Sequence, residues 1–394
     1  MAATPLQIAI QYHQAGELEQ AERLYQALLA QNPQQADVLH LLGVLYGQRG
    51  QYENALRYVQ QAITYDASQP TFYNSLGNIY KNLGDYPQAI NAYQQALKLQ
   101  PNYPSVQNNL GTLYYRQQDL IAAEKHFQKA LQLKPDYADA WFNLGNVYLQ
   151  RNDFKQAQNA FEKVLNLQPD YAAAHGQLGQ LFQEQGELSL AQEHYEKHLE
   201  LEPNHPEANY RFGTLLFKQG EFKTAAERFA KTLMLMPNHR EALYNIAVTY
   251  LLLSQPNEAL RYFMRLLPLK PEAEVYYNIG VILLHQDRLD DAIQYFNETL
   301  QHQADYLDAY LNLAAAYLKK LDYPNAIQSY QAAAKLKPND PEINYLLAAL
   351  TRQKRLNQHL RFILSIYLMN TRHTSILICN NNYTIKCPNY SIKP

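Results

Sequence analysis

The chain repeats itself with a period of 34 residues. A small residue, Gly or Ala, is followed twelve residues later by Ala, and this pair occurs ten times in phase. The pairs are Ala9/Ala21, Gly43/Ala55, Gly77/Ala89, Gly111/Ala123, Gly145/Ala157, Gly179/Ala191, Gly213/Ala225, Ala247/Ala259, Gly280/Ala292 and Ala314/Ala326. The step is 33 residues only between Ala247 and Gly280. A fixed period of this length is typical of solenoids, in which each repeat packs against its neighbours.

Each repeat has the pattern of a hairpin of two amphipathic helices. Apolar residues recur at spacings of three and four on both halves, as in 141–148 and 157–167. A proline such as Pro135 or Pro169 usually ends the second helix, because proline lacks the N–H that a helix needs. The small positions let the paired helices approach closely. One hairpin cannot bury its apolar faces alone, so we predict that the hairpins stack into a superhelix.

Aromatic residues recur at fixed positions in both helices of the hairpin, and regular spacing of this kind predicts core packing. The first helices carry Tyr12, Tyr46, Tyr80, Tyr114, Tyr148, Phe182, Tyr250 and Tyr317. The second helices carry Tyr25, Tyr93, Phe127, Phe161, Tyr195, Phe229, Phe263, Phe296 and Tyr330.

The motif of the repeat, as in Asn109-Leu110-Gly111 with Tyr114, Ala123, Ala130-Leu131 and Pro135, resembles the tetratricopeptide repeat family over roughly residues 2–356. The resemblance implies an all-α, right-handed α-solenoid of ten helical hairpins plus a C-terminal helix. The predicted units are 2–35, 36–69, 70–103, 104–137, 138–171, 172–205, 206–239, 240–272, 273–306 and 307–340. A capping helix is predicted over 341–357, followed by an atypical, disordered tail over 358–394.

Composition argues against several classes of function. The formal net charge is −2, from 34 basic and 36 acidic residues, so no net field attracts nucleic acid or anionic lipid. Residues 1–10 lack the features of a secretory signal and no stretch is apolar enough to span a membrane, so we expect a cytoplasmic protein. The two cysteines, Cys379 and Cys387, are too few for a disulfide scaffold.

Catalytic and cofactor-binding motifs are also missing from the repeats. They contain no phosphate-binding glycine loop, nucleophile elbow or zinc-protease motif, so the chain is predicted to be no enzyme and to bind no cofactor. The histidines His175, His194, His198 and His205 suggest a metal site, because His194 and His198 lie one helical turn apart, but no third ligand of matching phase is present, so no metal site is predicted.

In the family that the chain resembles, first helices line a concave groove that binds extended peptides. The groove position is two residues before the small residue, and from Asn109 onward it forms what we call the polar file. Its members, the candidate peptide-binding residues, are Asn109, Asn143, Gln177, Arg211, Asn245, Asn278 and Asn312. Side-chain amides both donate and accept hydrogen bonds, so they can pair with a peptide backbone of any sequence. Leu41 and Ser75 interrupt the series on its N-terminal side.

Two other interpretations of this position stay open. The asparagines can instead stabilise the hairpins by local pairing. A clamp for a terminal carboxylate, as in chaperone-binding family members, needs clustered cations, and Arg211 is the only cation in the polar file. The asparagine series also resembles the repeat arm of O-linked N-acetylglucosamine transferases.

The last part of the chain departs from the repeats. From Ile343 to Pro394 there is no acidic residue, whereas seven Lys or Arg remain. One interpretation is a basic amphipathic segment that binds a membrane surface or a partner. Another is a frameshift, because a shifted reading of 362–390 resembles the lead-in to methyltransferase domains that follow such repeats in some bacterial proteins.

The sequence therefore predicts a scaffold or adaptor whose concave groove binds a protein or an extended peptide, without nucleic acid and without a membrane span. The alternative is the substrate-recognition arm of a methyltransferase or glycosyltransferase that has lost its catalytic domain. A third possibility is a solenoid that assembles with itself through exposed ends. The sequence predicts no oligomeric state.

Overall fold

The computed structural model describes residues 3–352, and this range contains 21 α-helices and no strand. In chain order the helices are α1 Pro5–Gln14, α2 Leu18–Gln31, α3 Ala36–Gln48, α4 Tyr52–Tyr65, α5 Pro70–Leu83, α6 Tyr86–Leu99, α7 Pro104–Arg116, α8 Leu120–Leu133, α9 Ala138–Gln150, α10 Phe154–Leu167, α11 Ala172–Gln185, α12 Leu188–Leu201, α13 Pro206–Gln219, α14 Phe222–Leu235, α15 Arg240–Leu252, α16 Pro256–Leu266, α17 Ala273–His285, α18 Leu289–His302, α19 Leu307–Lys319, α20 Tyr323–Leu336 and α21 Pro341–Arg352. The predicted all-α solenoid fold is confirmed.

The described range ends within the predicted capping helix. Helix α21 covers Pro341–Arg352, and the rest of that prediction, 353–357, lies outside the described residues. The predicted tail 358–394 lies outside them as well, with both cysteines and the segment that carries the frameshift hypothesis. None of the helices in 3–352 is long and apolar enough to cross a membrane.

The chain divides into two compact units between Leu181 and Phe182, within α11. In the first unit, hairpins form between α1 and α2, α3 and α4, α5 and α6, α7 and α8, and α9 and α10. In the second, they form between α13 and α14, α15 and α16, α17 and α18, and α19 and α20. Second helices also pack on the first helix of the next hairpin, as α4 does on α5 and α14 on α15. Each unit is thus a stack of hairpins with a continuous core.

In five hairpins the core contact joins the glycine of the first helix and an aromatic ring of the second, whereas in α3–α4 Gly43 packs against Val59. A Cβ atom added to Gly77 would lie 2.4 Å from Cε1 of Tyr93, and one added to Gly145 would lie 2.6 Å from Cε1 of Phe161. All the second-helix aromatics named above are buried. The small residue therefore determines how closely the two helices approach.

Most first-helix aromatics are only half-buried, in contrast to the second-helix rings; Tyr148 and Phe182 are the buried ones of this set. Tyrosine is suited to such a position because its ring packs while its hydroxyl reaches a polar partner. The hydroxyl of Tyr46 donates to Glu22 Oε1 at 2.5 Å, and that of Tyr148 donates to Glu124 Oε1 at 3.3 Å. These bonds tie a first helix to the second helix of the preceding hairpin.

The turn between the two helices of a hairpin needs one residue with a left-handed backbone. Glycine fills this position at Gly84, where φ is 81°, but in five hairpins a residue with a side chain fills it. One of them is Leu321, with φ 61° and a side chain that is 60% exposed. A left-handed conformation costs an L-amino acid about 1–2 kcal/mol, and the exposed leucine gains little from packing.

Leu321→Gly is therefore expected to stabilise the protein. Glycine relieves the backbone strain, and its greater freedom in the unfolded chain offsets part of the gain, which leaves about 0.5–1 kcal/mol. The urea concentration at which half of the protein is unfolded should rise, and circular dichroism of the helices measures it. Gly84→Leu is the matched control and should lower it; a Leu321→Gly midpoint at or below wild type would contradict the prediction.

Candidate functional site

The residues of the polar file lie on first helices and are half-buried. In the first unit Asn109 lies on α7, Asn143 on α9 and Gln177 on α11. In the second unit the members are Arg211 on α13, Asn245 on α15, Asn278 on α17 and Asn312 on α19.

In the first unit, the file asparagines donate hydrogen bonds to the preceding hairpin. Nδ2 of Asn143 donates to Oδ1 of Asn108 at 3.1 Å, across 35 residues of sequence. Nδ2 of Asn109 lies 3.3 Å from Oδ1 of Asn74 and 3.2 Å from Oδ1 of Asn78. The acceptor of each 35-residue bond stands three residues before the small residue of its own hairpin. These amides therefore join successive first helices.

The second unit uses tyrosine as the acceptor at the same position. Nδ2 of Asn245 donates to the hydroxyl oxygen of Tyr210 at 3.2 Å, and Nδ2 of Asn312 donates to that of Tyr277 at 2.9 Å. The asparagines are thus already paired in both units, but with the preceding hairpin and not by the local pairing of the alternative interpretation.

Arg211 differs from the asparagines of the polar file. Its Nε donates to Oε1 of Glu207, one helical turn away on α13, at 2.7 Å. The guanidinium is thereby partly neutralised within its own helix.

The polar file keeps acceptor groups for a ligand. Among the described residues, the side-chain oxygens of Asn143 and Asn312 take part in no hydrogen bond, although their NH2 groups do. A free amide oxygen can accept a bond from a peptide N–H. Peptide binding by the polar file stays a prediction, and it would use these oxygens.

A concavity of about 440 Å³ lies on the first helices of the first unit, and we call it the α3–α5–α7 concavity. Its lining consists of Val44, Gly47, Gln48, Ser75, Asn78, Ile79, Lys81, Asn82 and Asn109. The lining combines four side-chain amides with one cation and two aliphatic side chains, and it holds no acidic residue. Of the polar file, Asn109 alone is in this lining.

Lys81 gives the concavity its charge. Burial lowers the pKa of its ammonium group, and the nearby positive charge of Arg116 lowers it further. Among the described residues, no carboxylate or other partner contacts this ammonium group. A half-buried ammonium group without a counter-ion attracts an anion or a carbonyl oxygen.

Gln48, Asn78, Lys81 and Asn82 are not among the residues predicted from the sequence, because that prediction uses only the position two residues before the small residue. Asn78 and Asn82 stand one and five residues after Gly77, which is three and seven residues after the file position at Ser75. Helical spacing puts Ser75, Asn78 and Asn82 on one face of α5. The same helical pattern, continued beyond Ser75, therefore predicts Asn78 and Asn82 as groove residues.

The contact between α3 and α5 includes a histidine, His40, that should make folding stability depend on pH. Nε2 of His40 lies 2.8 Å from Oγ of Ser75, and its ring packs 4.5 Å from that of Phe72. Burial lowers the pKa of His40 from 6.5 to about 4. The unfolded chain therefore binds more protons between pH 6.5 and 4, and folding stability falls as the pH decreases through this window.

We expect His40→Asn to remove this acid sensitivity, since Asn74 and Asn108 occupy the equivalent position in α5 and α7. The shift corresponds to about 3 kcal/mol when fully developed. The unfolding free energies of both proteins would be measured in urea at pH 7 and pH 4.5. The loss on acidification should be about 2 kcal/mol or more larger for wild type; equal losses would refute the assignment.

Asn143→Ala is expected to destabilise the first unit. It removes the donor to Asn108, whose side chain is buried, and an unpaired buried oxygen costs about 1–3 kcal/mol. The urea midpoint is the measurement. Asn91→Ala, at an exposed position of α6, is the control and should change little; equal midpoints for the two variants would count against a structural role.

Family models match most of the described range. Models described as TPR repeat or tetratricopeptide repeat match residues 24–57, 46–84, 77–118, 102–170, 142–209, 253–306 and 283–350. A model of anaphase-promoting complex, cyclosome, subunit 3 matches residues 184–266. No curated protein matches the chain.

Several solved structures are similar to parts of the chain. PilF of Pseudomonas aeruginosa is 25% identical with a TM-score of 0.43, over 54% of this chain and 96% of that one. YrrB, titled a TPR protein with an unusual peptide-binding site, is 26% identical with a TM-score of 0.41, over 50% of this chain and 99% of that one. PilW, titled a type IV pilus biogenesis factor, is 21% identical with a TM-score of 0.48, over 52% and 96%.

The repeat models cover well over half of the sequence, and the paired helices follow the period that these models describe. The chain therefore belongs to the tetratricopeptide repeat family.

Proposed function

We propose that this protein is a non-catalytic adaptor that binds an extended peptide segment of a partner protein in the α3–α5–α7 concavity. The observation that carries the proposal is the lining itself. Three successive first helices contribute four amides and an ammonium group without a counter-ion to one surface depression. Such a surface offers hydrogen bonds to a peptide backbone and one site for negative charge.

The amides would bind the peptide backbone. A backbone in extended conformation presents N–H and C=O groups in alternation, and side-chain amides pair with both. Asn82 is exposed and makes no hydrogen bond among the described residues, so both ends of its amide are available. Val44 and Ile79 give the same depression an apolar floor for one aliphatic side chain.

Lys81 would select the charge of the peptide. Bringing a carboxylate next to the half-buried ammonium group favours its protonated form and offsets the cost of its burial. We therefore expect a peptide with one acidic side chain or a C-terminal carboxylate. The polar file by itself does not favour a carboxylate, because Arg211 is its only cation, whereas Lys81 lies outside the polar file and supplies the charge in the concavity.

The polar file beyond Asn109 would extend the contact. The free oxygen of Asn143, in the same unit as the concavity, can accept a peptide N–H group while its NH2 group holds the hairpins together. Most of the affinity for the peptide would then come from the concavity. Contacts with the polar file would make the affinity increase with the length of the peptide. The concavity contains no His, Cys, Asp or Glu side chain, so we assign it no catalytic role.

The proposal is tested with peptides selected by the full chain. Random linear 12-residue peptides displayed on phage would be panned against the protein, and a selected peptide would be labelled and measured by fluorescence anisotropy. The double variant Lys81→Met/Asn82→Ala should weaken binding about tenfold or more, because it removes a charge-assisted bond and an amide contact. Replacing the acidic group of the peptide by its amide should have a similar effect.

The matched control is Lys98→Met/Asn91→Ala, which changes the same two residue types at exposed positions of the second helix α6. This variant should bind like wild type. Peptides that bind both double variants equally, or a selection that yields no peptide, would overturn the proposal.

A further inference from the structure

One buried histidine in the second unit has no structural role that its contacts explain. His198 lies near the end of α12 and its side chain is only 6% exposed. Neither of its ring nitrogens has a hydrogen-bond partner among the described residues. A buried polar group without a partner is costly, and a protein seldom keeps one without another use for it.

The other hairpins show what this position normally requires. Alanine or valine stands at the equivalent position in four hairpins of the first unit, at Ala62, Ala96, Ala130 and Val164, and all four are buried. The next hairpin has Thr232, whose hydroxyl donates to the carbonyl oxygen of Arg228 at 3.1 Å. Packing is therefore satisfied by a small residue, and a polar residue here normally finds a partner. His198 meets neither condition.

Two further metal-ligating side chains surround His198. Glu202 follows one turn later at the C-terminal end of α12, and His205 precedes the first turn of α13. One ligand atom from each of His198, Glu202 and His205 lies within 4.8 Å of the other two, and this is the one such group of three in residues 3–352. The rings of the two histidines are 4.8 Å apart, centre to centre.

We propose that His198, Glu202 and His205 bind a divalent transition-metal ion, with Zn²⁺ as the best match to the donor set. Two imidazoles and a carboxylate are ligands that Zn²⁺ accepts in a tetrahedral site, and water would take the fourth position. His205 is one of the candidate histidines of the sequence, but it has no matching helical phase with His194 and His198, so the sequence alone does not identify a third ligand. The turn into the next hairpin supplies it.

The geometry needs only small adjustments. Tetrahedral ligands at about 2.0–2.1 Å from Zn²⁺ lie about 3.4 Å apart, so the three groups must move closer together. Nε2 of His198 is already 3.6 Å from Oε2 of Glu202. The side chain of Glu202 is 54% exposed, so it can rotate, and it also leaves the site open to solvent.

To bind a metal ion, His205 must give up the hydrogen bond by which it caps α13. Its Nδ1 accepts a hydrogen bond from the backbone N–H of Ala208 at 3.1 Å, so Nε2 carries the proton in the neutral ring. Coordination through Nε2 moves the proton to Nδ1, and coordination through Nδ1 replaces the bond directly. In either case the metal bond is made in place of the helix cap.

The surrounding charges permit a cation at this place. Metal binding needs the neutral imidazole of His198, and Glu202 already brings a carboxylate oxygen to 3.6 Å from its Nε2. Arg211 is the nearby positive charge that opposes a cation, and Glu207 is paired with it at 2.7 Å. Glu202 is the one carboxylate among the three proposed ligands, and its negative charge attracts the metal cation.

A metal ion at this site would join the end of α12 to the start of α13, both of which lie in the second unit. The bound state would resist separation of these helices. Metal binding should therefore raise the thermal midpoint of the protein as well as produce a binding signal.

The test uses the full chain with Cys379→Ser/Cys387→Ser, because free thiolates also bind zinc. Isothermal titration with ZnCl2 should give one bound ion per chain, with a rise in thermal midpoint. Co²⁺ should give the visible absorption bands of a four-coordinate site. His198→Ala, Glu202→Gln and His205→Asn should each weaken Zn²⁺ binding about tenfold or more.

These substitutions are chosen to keep the fold. Alanine is the residue of several other hairpins at the position of His198, and asparagine is a good helix cap at the position of His205. His239→Asn is the matched control, since His239 caps α15 in the same way but has Thr232 and Met236 in place of the other two ligands. It should leave binding unchanged. Absence of binding, or binding that all four variants share equally, would overturn the proposal.

Discussion

The contact between a small residue on the first helix and an aromatic ring on the second is the constraint on which the rest of the structure depends. Any larger side chain at Gly77 or Gly145 would overlap the ring of Tyr93 or Phe161. The close approach buries the ring completely and thereby holds the two helices of the hairpin at a short distance. Each stack consists of hairpins in which this contact recurs.

Stacking then places one first helix beside the next, and this creates the surface on which the proposed functions rest. The amides of Asn143 and Asn312 bridge neighbouring first helices, so the same residues hold the hairpins together and keep an oxygen for a ligand. The α3–α5–α7 concavity arises on this surface where Lys81 is half-buried without a counter-ion. In the proposed function, stability and recognition share side chains, so we expect a substitution in the polar file to change both.

The periodic parts of the molecule could be predicted because a local pattern specifies them. The spacing of Gly111 and Ala123 and the proline at Pro135 are enough to predict a helical hairpin and its ends. Sites that depend on neighbouring hairpins were harder to predict. Lys81 stands outside the polar file, and its charge matters only because burial and the absence of a nearby acid leave it unpaired. His205 lies beyond the helix that carries His194 and His198, so helical spacing could not place it beside His198 and Glu202.

The sequence by itself determined the family, the helical hairpins and the residues that fill their cores, because a 34-residue period records the same local packing ten times. Only the tertiary structure decided which amides are already hydrogen-bonded, where the first helices form a depression, and that His198 is buried beside Glu202 and His205. The physical reason is that hydrogen bonding, burial and charge pairing depend on distances between side chains of different hairpins. Those distances are set by how the hairpins stack, and no single repeat contains them.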